Sequence, residues 1–296
     1  MFDPVRGKPD FPALEREILA AYRGDALPPL QVRYRDYCAW HAHALTSGAL
    51  DDARAYWHRT LHGDLAALSL PADHARPADR TFAGDRLGVS FTLEETAALD
   101  ALGRRFGATR FMTLVALVKA VLYRYTGERD VIVGSPVSGR ARAELAGAVG
   151  LYANTVVLRD AVIGHEPFSA LLRKVRTTTI GAMDHQAYPF DRLVDELAPL
   201  RTPGRQPIFD VWVSLTETSA PSATLDGVAV EAVPLADASS KFDLSVAGAE
   251  RDGALHVGIE FSTELFTRER MARLAEHFVQ LTRAVLRDPE TPVAAV

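Results

Sequence analysis

The segment from Thr109 to Gly134 constrains the fold more than any other. From Phe111 to Tyr123 it is apolar except at Thr113 and Lys119, which predicts a helix buried on all sides. Gly127 follows as a stop, and Asp130-Val131-Ile132-Val133-Gly134 reads as a buried strand. A helix without a polar face must be covered by other elements, so a layered domain is required. A membrane span takes about 20 apolar residues, and this run is too short for one.

The flanking sequence supplies the covering layers. Residues 11–23 carry Leu14, Ile18, Ala21 and Tyr22 at helical spacing, with Gly24 as a stop. Leu27-Pro28-Pro29-Leu30 is a stiff connector. Helical patches follow at Tyr34, Tyr37, Trp40 and His41, and at Ala55, Trp57 and Leu61. Leu87, Val89 and Phe91 alternate as a half-buried strand does. Thr92 and Glu95 form a capping box for a helix bearing Leu99, Leu102 and Phe106. Thr155 to Arg159 is predicted as a strand, Pro167 opens a helix to about His185, and Phe190 to Leu197 a short amphipathic one. Phe209–Leu215, Val228–Val233, Phe242–Ala247 and Leu255–Phe261 are strand candidates, and Thr267 caps a final helix ended by Asp288-Pro289. Interleaved helices and strands, with several late strands in succession, predict an α/β fold: a mixed sheet with packed helices.

Composition narrows function by exclusion. With 33 Lys+Arg against 38 Asp+Glu, a net charge of −5 argues against nucleic acid, whose phosphates require a basic face. The N-terminus has no apolar stretch of signal-peptide length. The single cysteine, Cys38, allows no intrachain disulfide and fits a cytoplasmic location. Set among aromatics, Cys38 reads as a core residue rather than a nucleophile. Phosphate loop, dinucleotide turn and nucleophile elbow are all missing. His58 and His62 stand four apart on a predicted helix, but Arg59 occupies the position where a metalloprotease helix has Glu, so no metal is expected.

Three blocks carry more information. Gly134-Ser135-Pro136-Val137-Ser138-Gly139-Arg140 follows the buried strand, Val149 to Arg159 leads into the next, and His185 to Val194 follows a helix. Gly and Ser just beyond a strand allow close backbone approach. Arg140 there is a fixed cation in need of a carboxylate or phosphate. Asn154 presents both a donor and an acceptor. The residues alone fit a ligand-facing loop or a turn held by a structural salt bridge.

These blocks resemble the condensation domains of nonribosomal peptide synthetases, two-lobed relatives of chloramphenicol acetyltransferase. The likeness runs from Leu14 to Pro289. It includes Tyr34-Arg35-Asp36-Tyr37-Cys38-Ala39-Trp40, Tyr56-Trp57, Arg80-Thr81-Phe82-Ala83-Gly84, Tyr125-Thr126-Gly127, Pro207-Ile208-Phe209-Asp210-Val211, Lys241-Phe242-Asp243-Leu244 and Leu274-Ala275-Glu276-His277-Phe278. The block Val149–Arg159 is similar to the amide-forming type, where epimerising relatives have a Trp-Phe-Thr-like pattern. The heterocyclising branch departs in a motif this chain does not contain. The resemblance implies a chloramphenicol acetyltransferase-like lobe that joins aminoacyl or peptidyl groups tethered to peptidyl carrier proteins. The carrier's phosphopantetheine arm would bring the substrate, with no cofactor bound directly. Ser138, Gly139, Arg140, Tyr152 and Asn154 would line the active face.

The same resemblance implies a His-His-x-x-x-Asp-Gly motif just before the Leu14 helix. Ungapped counting places its histidines on Phe2 and Asp3 and its aspartate on Gly7. None matches, and the chain has no other His-His pair. The expectation is therefore a partial condensation domain, inactive alone: residues 1–50 a remnant of the N-terminal lobe and connector, residues 51–296 the C-terminal lobe. Its inter-lobe face would be uncovered, available to the missing lobe or to self-association. Two other readings stand beside it. One is a non-catalytic binding module for a carrier protein, another synthetase module, a tailoring enzyme or a separately encoded N-terminal lobe. The other is an acyltransferase using a different base, with His185 the candidate. Arg140 would lose the motif aspartate, so it should be either solvent-exposed or paired with another carboxylate.

Overall fold

The computed structural model describes residues 11–27, 29–65, 68–140, 142–145, 147–197, 202–217, 224–225, 228–229 and 238–296. The positions onto which the histidine motif was counted lie outside these residues, as do Pro28 and residues 230–233.

Helices α1 (Phe11–Tyr22), α2 (Tyr34–Thr46) and α3 (Asp51–Thr60) precede the first strand. Then come β1 (Gly84–Ser90), α4 (Leu93–Arg105), α5 (Arg110–Thr126), β2 (Asp130–Val137), β3 (Asn154–Ala161), α6 (Phe168–Asp184) and α7 (Phe190–Leu197). The chain continues through β4 (Val211–Glu217), the two-residue strands β5 (Thr224–Leu225) and β6 (Val228–Ala229), β7 (Leu244–Arg251), β8 (Ala254–Ser262) and α8 (Arg268–Arg287). Six strands form one mixed sheet in the order β1-β8-β7-β4-β2-β3. β4 runs parallel to both β2 and β7, and the remaining pairs are antiparallel. This is the mixed α/β arrangement that the sequence predicts.

Each element follows from local chemistry. The Thr92 hydroxyl accepts from Glu95 N at 3.1 Å, while Glu95 Oε2 accepts from Thr92 N at 2.9 Å, so the α4 capping box forms as expected. α5 is buried from Met112 to Leu122 and ends on Gly127 at φ 71°, a conformation that favours glycine. α4, α5, α6 and α8 pack together on the sheet. β8 alternates buried and half-buried positions, whereas β2, between β4 and β3, is buried on both faces, as a strand covered from both sides must be. There the Phe209 ring packs so closely over Gly134 that an added Cβ would sit 2.1 Å from it.

One buried charge is central to the core. Lys119 of α5 is fully buried, and its Nζ donates to Val131 O at 2.9 Å, Leu158 O at 2.7 Å and Asp160 Oδ2 at 2.7 Å. Thr178 of α6 donates to the other Asp160 oxygen at 2.6 Å. Every Lys119 proton and both carboxylate oxygens have a partner, which a buried ion pair requires. The Pro207–Val211 and Lys241–Leu244 blocks prove structural as well. Arg76 forks onto Asp243, and Arg205 Nη1 donates to Asp210 at 2.6 Å.

Two expectations are corrected here. Cys38 is exposed, not core, because Ala44 alone among the α2 residues is buried. The apolar stripe of α1 also stays in solvent: Ile18 is 57% and Tyr22 72% exposed.

Candidate functional site

The site grows from the open end of the β2–β3 hairpin. Val137 and Asn154 face each other in register, and the chain between them leaves the sheet and returns. Gly139 has φ 65°, and a Cβ there would lie 1.9 Å from Tyr152 O. Only glycine lets the outgoing and returning chains touch at this point. Ser138 is exposed, and its hydroxyl accepts from Arg140 N at 3.3 Å.

Arg140 turns inward. It donates to the carbonyl of Leu145 and, at 2.7 Å, to that of Ala148. Its guanidinium carbon lies 4.2 Å from the centre of the buried Tyr152 ring. Carbonyl dipoles and an aromatic face are thus among the groups that hold this cation. Burial lowers the Arg140 pKa and raises that of Tyr152. The result is a stiffened loop with its cation drawn into its own backbone.

Asn154 is a clamp. Its Nδ2 donates to Gln186 O at 2.8 Å and Tyr188 O at 2.7 Å. Its Oδ1 accepts from Thr155 N at 2.8 Å and Phe190 N at 3.1 Å. Both hydrogens and both lone pairs are used. One side chain therefore fixes the start of β3 to the loop between α6 and α7. The Val149–Arg159 block meets the His185–Val194 block here.

His185 ends α6. Its Nδ1 donates to Gly181 O at 2.7 Å, and its ring stacks on Tyr56 at 4.0 Å, 2° from parallel. Its carbonyl accepts from Trp57 Nε1 at 3.0 Å. These contacts join α3 to α6 and set a tautomer in which Nδ1 carries the proton.

Helix α2 closes the other side. Tyr34 and Tyr37 lie 5.1 and 4.7 Å from the Tyr152 ring. Tyr34 OH donates to Leu151 O at 3.1 Å, and His41 Nε2 to Ala187 O at 2.9 Å. Between α2, the 139–154 connection and the 186–189 loop lies a groove of about 570 Å³. Gly139, Tyr152 and Asn154 line it with Cys38, Trp40 and Gln186. Ser138 and Arg140 stand at its margin, and His185 supports it from below Gln186. The contribution of α2 was missed in the sequence, although Tyr34, Tyr37 and His41 recur on one helical face.

Glu196 ties α7 to α3 and to the 186–189 loop. It accepts from Arg54 at 2.9 Å, His58 at 2.8 Å and Tyr188 at 2.7 Å. Burial alone would raise its pKa, but hydrogen bonds from His58, Tyr188 and Arg54 outweigh it and lower the value from 4.5 to about 2. His58 thus serves a carboxylate. Among the described residues no three His, Cys, Asp or Glu side chains come together as a metal site would require. No single described helix is long and apolar enough to cross a membrane.

Fold and groove together place the candidate site at one end of a mixed sheet, where the β2–β3 connection and the 186–189 loop meet α2. The chain belongs to the condensation domain family, whose model matches residues 11–296. It is 36% identical over 282 residues to tyrocidine synthase 2 of Brevibacillus parabrevis, and the match covers 95% of this chain. The chain spans only 8% of the length of that relative. The X-domain from teicoplanin biosynthesis superposes with a TM-score of 0.89 at 21% identity, over 98% of this chain and 68% of that one. The same domain in complex with OxyB gives 0.86 at 22% identity, over 97% and 66%. Relatives of this kind are nonribosomal peptide synthetases, so the chain is a condensation-type domain of that machinery.

Proposed function

We propose that this chain supplies the C-terminal lobe of an amide-forming site, with residues 1–50 contributed from the tail of the N-terminal lobe. Amine attack on a thioester needs a proton acceptor within about 3 Å of the reacting nitrogen. Neither Asn154 nor Arg140 can act as that base: an amide is not basic and a guanidinium stays protonated. On this reading the proton-handling histidine that the family resemblance implies is supplied by polypeptide other than this chain, and the chain alone is inactive. Its own residues shape the surface that receives a carrier's phosphopantetheine arm. The observation that carries this reading is the Asn154 clamp, which ties two of the recognised blocks into the wall of one groove.

The test is amide formation from a carrier-bound aminoacyl thioester and an amine acceptor, with the purified chain and with a His-His-bearing N-terminal lobe added as a separate protein. Product should form only in the mixture, at background rate with the chain alone. Product from the chain alone, abolished by His185→Ala, would overturn the reading in favour of a base within the chain. A mixture that binds but makes no product would also defeat it.

A second reading is favoured by one comparison. An X-domain of similar fold forms a complex with OxyB, which supports a role as a docking module for a tailoring enzyme. Pull-down with a tailoring enzyme from the same biosynthetic locus would establish that role, and no capture at micromolar concentration would remove it.

A further inference from the structure

A second concavity lies away from the groove. Helices α5 and α8 and residues 295–296 enclose a cleft of about 790 Å³. Its walls carry Arg124, Arg273 and Arg287, with His277, Gln280 and the apolar Val121, Leu281 and Ala284 between them. Tyr125 OH bonds to His277 Nδ1 at 2.8 Å within the cleft.

The arginines of α8 divide by direction. Arg268 pairs with Asp85, Arg270 with Asp73 at 2.6 Å and Arg283 with Glu95 at 2.7 Å. Arg273 and Arg287, which face the cleft, pair with no carboxylate among the described residues, and neither does Arg124 across from them. A cation in the last turn of a helix is favourable by itself, which accounts singly for Arg124 and Arg287. It does not account for Arg273, which lies in the N-terminal half of α8. Nor does it explain three arginines with no ion pair among the described residues converging on one concavity in a chain of net charge −5.

The spacing selects the ligand. Arg273, His277, Gln280, Ala284 and Arg287 follow one another at intervals of four, three, four and three, so they form a single strip along α8. At a rise of 1.5 Å per residue its outer arginines lie about 21 Å apart along the axis. A single phosphate or nucleotide cannot engage both ends at once. A helix of about 14 residues has the matching length, with carboxylates for the arginines and one apolar side chain for the Val121–Leu281–Ala284 floor.

We infer that the α5–α8 cleft is a docking site for an acidic amphipathic helix presented by a partner protein domain. It is separate from the Asn154 groove, so its test stands apart from the acyl-transfer reading.

The probe is a fluorescein-labelled 15-residue helical peptide of Glu and Ala with two leucines on the carboxylate face, titrated with the full chain by fluorescence anisotropy. Saturable binding is expected, weakening as salt rises from 50 to 300 mM. Arg273→Glu with Arg287→Glu should weaken it at least about tenfold, since close charge pairs across interfaces carry large coupling. Arg251→Glu, on the exposed β7–β8 turn, should leave affinity unchanged. Circular dichroism confirms folding, and the milder Arg273→Gln/Arg287→Gln pair should lose affinity in the same direction. Equal weakening by Arg251→Glu would reduce the effect to overall charge and overturn the site. So would absence of saturable binding at low salt, or displacement by tripolyphosphate at lower concentration than by unlabelled peptide, which would make it a small-anion pocket.

Discussion

Asn154 concentrates four hydrogen bonds on one uncharged side chain, and three of them reach the 186–190 segment. Asn154→Ala leaves two carbonyls and two amides to find water or remain unpaired, at about 1–3 kcal/mol of stability. Urea denaturation should show that loss, and hydrogen exchange should show faster opening of residues 186–190. A variant with parental exchange in that segment would refute the clamp. Asn154 was legible in the sequence as a position of interest, because an amide just before a strand offers both a donor and an acceptor. Its role as a staple was not, since its partners lie 32 to 36 residues away. Cys38 failed for the opposite reason. Aromatic neighbours in sequence suggested a core, but the rings of Tyr34 and Tyr37 pack on Tyr152 and leave the thiol outside. Arg140 was expected to need an anion, and its contacts with a ring and two carbonyls within its own loop had no signal in the sequence.

Elements with a local signal formed where the sequence put them. Thr92, Thr109 and Thr267 all cap helices, and their hydroxyls accept the expected amides. Strand ends moved, because a strand is bounded by pairing rather than by its own pattern: β7 begins at Leu244 opposite Phe261, not at Phe242. Charge ties between elements left no sequence signal. Glu196 joins α7 to α3, and its sign can be worked out. A carboxylate whose pKa falls from 4.5 unfolded to about 2 folded contributes stability that is full above pH 4.5 and lost as pH falls toward 2. Glu196→Gln should flatten that part of the acid limb, and an unchanged limb in denaturant melts between pH 4.5 and 2 would exclude the tie. The Lys119–Asp160 pair joins α5 to β3 at full burial. Lys119→Met strands a buried carboxylate and should cost about 3–5 kcal/mol. Adding Asp160→Asn removes that charge while keeping an acceptor for Thr178, and should restore most of the loss. A double variant as unstable as the single would show that shape, not charge, sets the cost.

At the scale of the molecule, the apolar segment 111–123 did force a layered domain, and α5 lies at its centre. What the pattern did not carry was which apolar stripes go uncovered. Leu14, Ile18 and Tyr22 are spaced as a buried face is, and periodicity alone cannot distinguish a stripe packed on this sheet from one awaiting other protein. Ile18 and Tyr22 on α1 and Leu27 and Leu30 on the connector are each exposed, and so are Trp40 and Leu151 at the groove. Scattered apolar side chains on a surface are ordinary, whereas a helix whose whole apolar stripe is exposed is a candidate interaction surface. The acyl-transfer reading assigns that surface to the N-terminal lobe. Without that lobe, the same surface should drive concentration-dependent self-association. Sedimentation velocity should show a rising weight-average coefficient with concentration for the chain alone. Ile18→Glu with Tyr22→Ser should reduce that rise while the melting temperature stays near the parent's, because neither side chain is buried in the fold. The same pair should weaken capture of the His-bearing lobe. Unchanged sedimentation and unchanged capture would show that α1 is solvated in the working protein, and would move the lobe contact to the Trp40–Leu151 rim of the groove.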